Sequence, residues 1–351
     1  GCIQGSTCGP LFWNVLLDGL LEETTGLGAH VQAYADDILI IGTGKDGDSI
    51  GIIMNNLLRK ITKWGADNKL RFAPHKTQVM TVTKKLKYLE PKIQMEDVDL
   101  QGKDTLRILG LTLDKNLNYV QHIKEITAKT IKLYKKVTRT ARAHWGLCPE
   151  ILKTIYISVV EPSMMYAANV WAGKCHTAQI KVMLDRVTRT FAILIIKGHR
   201  TVSLPASTIL AGILPLDLRA LERRRLYNLV KKGEELPQLP GREVELDISP
   251  YDLRLIRDST LDAWQTRYTE DNKGATTKKM LPDVREAYKI IGTLNFNNIL
   301  AQLFTGHGGF RAYLHKFKLA PDPFCDCDGE SPETAEHIVL ECPKFLSRVE
   351  Y

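Results

Sequence analysis

The chain has 351 residues, 25% of them charged and 44% hydrophobic, and its 48 Lys and Arg against 40 Asp and Glu give a formal net charge of +8. These figures exclude a mostly disordered, collagen-like or disulfide-scaffold protein and leave room for two or three domains with real cores. No apolar run approaches the roughly 18 to 20 residues of a spanning helix, so no membrane segment is expected.

The opening Gly1-Cys2-Ile3-Gln4 carries neither an initiator Met nor a secretory leader, and a fragment of a longer polypeptide is expected. Gln4-Gly5-Ser6-Thr7-Cys8-Gly9-Pro10 reads as a Gly-rich turn. An apolar helix follows it (Phe12, Trp13, Val15, Leu16, Leu17, Leu20, Leu21), with Pro10 suited to the first turn. Val31 to Tyr34 and Ile38 to Ile41 are two apolar runs joined through Ala35-Asp36-Asp37, a β-hairpin with acidic residues at its tip. Residues 50–64 repeat apolar side chains at helical spacing. Residues 68–72 and 75–80 read as a turn and a short strand, and residues 106–113 as a strand pair broken at Gly110. From 115 to 232 the pattern is mainly helical, with Pro149 and Glu150 opening a helix that runs towards Pro162. Residues 233–251 hold Gly233, Pro237, Pro240, Gly241 and Pro250 and read as a linker. Helices of mixed polarity follow, and residues 321–345 form a Pro- and Cys-rich tail.

The positive charge is concentrated. Residues 115–145 carry eight basic side chains against the single acid Glu125, a local net charge of +7. Ile123, Ile126, Tyr134, Val137 and Ala141 recur through the same stretch, which predicts a helix with one buried stripe and a basic outer face. Lys132, Lys135, Lys136 and Arg139 are the candidates for contact with a phosphate backbone; a solvated surface helix is the alternative. A weaker basic helix, also carrying Asp217 and Glu222, is expected near residues 216–232.

Two adjacent aspartates between apolar strands call for a cation nearby. Mg²⁺ suits them, being a hard ion held by one or two carboxylates together with substrate phosphates, and a metal pair can hold attacking and leaving oxygens in line. The alternative is a type I′ hairpin turn in which Asp is merely a good turn residue.

Tyr34-Ala35-Asp36-Asp37 between apolar strands resembles the catalytic hairpin of reverse transcriptases. Gln4-Gly5-Ser6 with Gly9-Pro10 resembles the Gly-rich turn that faces template and nucleotide in the same enzymes. Trp64-Gly65, Leu70 and Lys76-Thr77 resemble the next palm segment, and residues 109–114 the primer-grip strands. Arg200-Thr201-Val202-Ser203 and residues 210–216 are similar to LINE-type (non-LTR) retrotransposon proteins, the jockey-like group in particular. The resemblance covers nearly the whole chain and is most specific in its first eighty residues.

That resemblance implies roles residue by residue. Asp36 and Asp37 would be Mg²⁺-binding catalytic carboxylates, Asp36 the more direct ligand. Tyr34 would pack beside the primer terminus, and Gln4, Gly5 and Ser6 would line the nascent base pair. Lys76 would protonate or screen the leaving pyrophosphate. The family's earlier palm aspartate and its fingers would lie upstream of Gly1, so the fragment alone is expected to be inactive.

Near the end, Cys325-x-Cys327, then nine residues, His337, four residues and Cys342 supply three sulfurs and one imidazole, a ligand set for tetrahedral Zn²⁺. Buried free cysteines with a capping histidine are the alternative. Residues 333–337 with Glu341-Cys342-Pro343 resemble the terminal Cys/His knuckle of the same proteins, and Thr305-Gly306-His307-Gly308 with Phe310-Arg311 the segment preceding it. Gly42-Thr43-Gly44-Lys45 fails the phosphate-loop pattern and reads as a turn. Cys148 and Cys175 read as core residues.

The expected fold is α+β: a partial polymerase palm over 1–114, a basic helical thumb-like region over 115–232, a linker and helical connector over 233–320, and a zinc-knuckle-like tail over 321–351. The expected function is RNA-directed DNA synthesis by a non-LTR element, with RNA template, DNA primer or target, deoxynucleoside triphosphates, Mg²⁺ and a structural Zn²⁺, in the nucleus. The rival is a non-catalytic RNA- or DNA-binding remnant with a zinc knuckle.

Overall fold

The computed structural model describes residues 5–141, 146–232, 250–294 and 296–346. Gln4, Arg142 and most of the expected linker lie outside the described residues. Contacts divide the chain into two compact units, one ending at Asn118 and the other beginning at Tyr119.

The first unit is built from helix α1 (Gly9–Thr24), strands β1 (Ala29–Tyr34) and β2 (Asp37–Gly42), helix α2 (Gly47–Asp67), a 3-10 turn (Pro74–Lys76), and strands β3 (Ile93–Met95), β4 (Val98–Leu100), β5 (Thr105–Ile108) and β6 (Leu111–Asp114). Each consecutive strand pair forms its own antiparallel two-stranded sheet. Leu17 and Leu20 of α1 and Leu57, Ile61 and Trp64 of α2 form a buried cluster, onto which the inner face of the first hairpin packs with Val31, Ala33, Ile38 and Ile40. Burying a side chain of that size contributes roughly 1.5–3 kcal/mol, so this cluster is what holds the hairpin down. A second cluster joins Leu58 of α2 to Ile93, Met95 and Leu100. The opposite face of α1 remains bare, with Leu11, Phe12 and Val15 at 60% exposure or more.

The segment expected as a short strand at 75–80 is a correction. Pro74 starts a 3-10 turn, and only an isolated bridge from Val79 to Gly102 remains. A proline contributes no N–H to a ladder, and Thr77 instead closes the turn by donating to Ala73 and Pro74. Residues 68–72 hold the expected turn, at Asn68 and Lys69. The pair broken at Gly110 is the β5–β6 hairpin, whose Leu109 and Gly110 both have positive φ, 45° and 84°. That is the backbone a type I′ turn requires.

The second unit is helical. It contains α3 (Val120–Val137), α4 (Pro149–Ile155), α5 (Glu161–Met164), α6 (Ala168–Trp171), α7 (Ala178–Ile195), α8 (Leu204–Ala211), α9 (Leu216–Lys232), α10 (Pro250–Glu270), α11 (Ala275–Met280), α12 (Val284–Thr293), α13 (Asn298–Thr305), α14 (Arg311–Lys316) and α15 (Pro343–Leu346). Helix α7 is central, packed against α3, α4, α8 and α9 through Ile180, Leu184, Val187, Phe191 and Ile195. The Phe191 ring meets Tyr134 edge-on at 5.4 Å and Tyr156 at 5.7 Å.

The helix opened by Pro149 continues past Pro162 to Met164. A π turn at Tyr156–Val160 joins α4 to α5. Proline leaves the carbonyl four residues back without its usual partner, and the wider turn absorbs that mismatch.

Buried ion pairs tie the helices together. Arg267 grips Asp217 through two bonds of 2.9 and 2.5 Å. Arg219 lies 2.8 Å from Glu161 and 2.5 Å from Glu222, and Arg257 reaches Glu222 at 3.2 Å. Part of the arginine content of α9 is therefore structural. No single described helix is long and apolar enough to cross a membrane.

Candidate active-site hairpin, basic helix and Cys/His cluster

The β1–β2 register pairs Tyr34 with Asp37, leaving Ala35 and Asp36 as the two turn residues. Val31, Ala33, Ile38 and Ile40 face the core, so the alternating pleat sets Gln32, Tyr34 and Asp37 on the outer face. Asp36 and Asp37 are exposed, and Tyr34 is 66% exposed. The two carboxylates thus project at a rim rather than into a packed interior.

The type I′ alternative fails, because of the two turn residues only Ala35 has positive φ, at 52°. An alanine in the left-handed region carries strain of order 1 kcal/mol. The turn is held from outside: the indole N–H of Trp13 on α1 donates to the Ala35 carbonyl at 2.7 Å. The Gly-rich turn leads directly into that helix. Gly5 has φ of +87°, with nothing within 4 Å of where a Cβ would stand, so conformation rather than space selects glycine there. Ser6 accepts from the Cys8 amide at 3.3 Å. Structure therefore joins the Gly-rich turn, α1 and the acidic tip in one assembly. Lys76 is exposed on its 3-10 turn, and among the described residues no hydrogen bond or ion pair links it to the hairpin.

Helix α3 buries Ile123, Ile126 and Thr130 and exposes Lys124, Lys129, Lys132, Lys135 and Lys136; Arg139 just beyond is also exposed. Lys115, counted with this charge in the sequence, belongs elsewhere. It closes the β5–β6 hairpin by pairing with Asp104 at 2.8 Å.

Among the described residues, one group of three or more potential metal ligands converges: Cys325, Cys327, His337 and Cys342, whose donor atoms lie within 4.8 Å of one another. The Cys325 and Cys342 sulfurs are 3.8 Å apart, and Cys327 Sγ is 3.3 Å from His337 Nε2. Tetrahedral bonds of about 2.3 Å to sulfur imply sulfur–sulfur separations of about 3.8 Å, whereas a disulfide needs about 2.05 Å. The donor set fits zinc.

Local folding explains the convergence. Asp328 accepts from the backbone N–H of Glu330 and Ser331 and from the Ser331 hydroxyl, holding its carboxyl well below the usual range and fixing the loop after the first two cysteines. Arg311 ties that loop to α14 through Phe324 and Asp326. His337 and Cys342 span a π turn, with the Cys342 N–H donating to the His337 carbonyl at 2.7 Å. Five residues on an α-helix would set them roughly 140° apart, whereas the wider turn brings them to one side. Glu341 Oε2 stands 3.5 Å from His337 Nδ1, on the far side of the ring from the sulfurs, where an outer partner orients a metal-binding imidazole. Burial and the neighbouring thiols push Cys327 up. Burial also opposes ionisation of Cys342, but the Lys344 backbone N–H and the adjacent thiols pull it below the usual thiol range. Crowded thiols cannot all ionise without a cation between them.

Residues 1–113, which hold the Gly-rich turn, the helix after it and the acidic hairpin, match the family model described as Reverse transcriptase (RNA-dependent DNA polymerase). Over nearly its full length the chain is similar to the Retrovirus-related Pol polyprotein from type-1 retrotransposable element R1 2 of Nasonia vitripennis, 27% identical across 99% of this chain and 86% of that protein. It is 28% identical to the Putative 115 kDa protein in type-1 retrotransposable element R1DM of Drosophila melanogaster, across 98% of this chain. It is 27% identical, also across 98%, to the Retrovirus-related Pol polyprotein from type-1 retrotransposable element R1 of Bradysia coprophila. The chain spans 34% of the length of each of the last two. No solved structure matches it. Over residues 1–113 the chain is similar to reverse transcriptases, and over nearly its full length to the proteins of type-1 (R1) retrotransposable elements.

Proposed function

We propose that this chain carries the catalytic hairpin of an RNA-directed DNA polymerase that copies element RNA into DNA, within the jockey-like group. The observation carrying this reading is the exposed Asp36–Asp37 rim, braced through Ala35 by the helix that follows the Gly-rich turn. Asp36 and Asp37 would hold Mg²⁺, with Asp36 the nearer ligand, and the bound metal would supply charge neutralisation to the substrate phosphates. Tyr34 lies beside the primer terminus, Gly5 and Ser6 (with Gln4) line the nascent pair, and Lys76 meets the leaving pyrophosphate. Substrates are deoxynucleoside triphosphates, an RNA template and a DNA primer or target, in the nucleus. Residues 1–114 supply the palm part, 115–232 a thumb that grips duplex phosphates through Lys132, Lys135, Lys136 and Arg139, 233–320 a connector, and 321–351 a zinc-stabilised end that binds nucleic acid.

Two carboxylates from one hairpin leave much of a metal pair's coordination to substrate phosphates, water and further ligands. The same shortfall favours the second reading, a non-catalytic strand-binding protein. Incorporation of labelled deoxynucleotide on an RNA homopolymer with a DNA primer and Mg²⁺ tests the choice. It uses a polypeptide in which this chain follows a relative's upstream segment. Incorporation abolished by Asp36→Asn supports polymerase chemistry; a folded, duplex-binding protein with no incorporation supports the other reading.

A further inference from the structure

Three sequence segments meet in the second unit, at a cleft of about 290 Å³ lined by Thr201, Ser203, Lys273, Gly274, Thr305 and His307. The Tyr313 hydroxyl donates to Thr201 Oγ1 at 2.8 Å, and Thr201 Oγ1 lies 3.0 Å from His307 Nδ1. The Thr201 hydroxyl thus bridges the tyrosine and the imidazole. Burial, with His199 and Lys316 nearby, lowers the His307 pKa.

The rings form a series. His307 stacks on Tyr313 at 4.7 Å and 27°, and Tyr313 meets Phe317 at 5.1 Å. Phe317 is 54% exposed at the end of that series. The same segments carry exposed basic side chains: Arg200 precedes Thr201, Lys273 lines the cleft, and Lys316 and Lys318 flank Phe317 in sequence. The nearby carboxylate of Asp271 is engaged by the Lys273 backbone N–H at 2.8 Å. Cations around a polar cleft, continuous with an aromatic ladder that ends in solvent, are the parts a single strand needs, since the backbone tracks the charge and bases stack on rings. A folded duplex offers no free base face to Phe317.

We propose that this cleft and its aromatic series bind an unpaired nucleic-acid strand, with a backbone phosphate seated among Lys273, the Thr201 and Ser203 hydroxyls and His307, and a base stacked against Phe317. The site shares no residue with the acidic hairpin or the cysteine cluster, and it does not rest on the polymerase reading.

The test uses the full chain with 12-residue single-stranded RNA and DNA carrying a central 2-aminopurine, whose fluorescence falls on stacking. Quenching by either strand is expected, and the tighter of the two identifies the sugar. Phe317→Ala should remove the quenching and weaken binding roughly tenfold or more. Lys273→Ala, at an exposed position, should weaken binding and lower the log–log salt slope by about one. Charge reversal on α3 should leave the quenching in place. The proposal is overturned if folded Phe317→Ala and Lys273→Ala proteins quench and bind like the wild type, if a blunt duplex quenches equally, or if a mononucleotide competes as well as the strand.

Discussion

Trp13 holds the acidic turn from a neighbouring helix: its indole N–H donates to the carbonyl of Ala35 at 2.7 Å, the residue immediately before Asp36. Ala35 is also the turn residue with positive φ, so one hydrogen bond fixes the strained peptide from which both carboxylates project. Trp13→Phe keeps the ring and removes the donor. It should cost about 0.5–1.5 kcal/mol of stability, read by thermal or denaturant unfolding, and should lower polymerase rate more than nucleic-acid affinity. Ala35→Gly should raise the melting temperature by relieving about 1 kcal/mol of strain, and an unchanged melting temperature would argue against a strained turn.

The cysteine cluster should hold one zinc per chain. Metal analysis of purified protein is expected to find it, and Cys342→Ser or a strong chelator to remove it, with loss of helical signal confined to the tail. Because thiolates and neutral imidazole are the ligands, acidification should release the metal. Protein purified without chelator and free of zinc would contradict the assignment.

Charge reversal at Lys132, Lys135, Lys136 and Arg139 should weaken binding to an RNA–DNA duplex and reduce the salt slope by about one per lost phosphate contact. All four are exposed on or just beyond α3, so the variant should melt like the wild type. An unchanged slope would place the duplex elsewhere.

Asp185 on α7 is pushed up to about 6, first by burial and then by Asp217, against the pull of Arg267 and Lys181. A carboxyl raised in the folded state binds a proton there that the unfolded chain has already lost, so stability should fall as pH rises from about 4 to about 6. Asp185→Asn should flatten that slope and stabilise the protein by about 1–2 kcal/mol at neutral pH, discounted for solvent screening. By contrast, Arg267→Ala leaves Asp217, only 2% exposed, without its bidentate partner. The cost should be about 3–5 kcal/mol, measured by denaturant unfolding.

Periodicity and turn chemistry made α1, α2, α3, the acidic hairpin and the Gly110 turn legible, because each is a local pattern with a distinct repeat. The β3–β4 hairpin was not legible. Its strands are three residues long, and its turn places Glu96, not glycine or asparagine, at a φ of 54°. The cysteine cluster could be read because its ligands fall within eighteen residues. Trp13 looked like one more apolar helix residue; only the tertiary fold shows its indole spanning 22 positions to Ala35. The Thr201–His307 link spans 106 residues, and nothing local in either segment announces the other.

The most direct measurement is single-turnover primer extension on an RNA template with Mg²⁺, using a polypeptide in which this chain follows a relative's upstream segment. Wild type would be compared with Asp36→Asn, Asp37→Asn and Trp13→Phe. Catalysis at the hairpin rim predicts extension by the wild type, loss of roughly a thousandfold or more in both aspartate variants on the scale of lost electrostatic stabilisation, and a smaller loss in Trp13→Phe. Extension that survives both aspartate substitutions would contradict it.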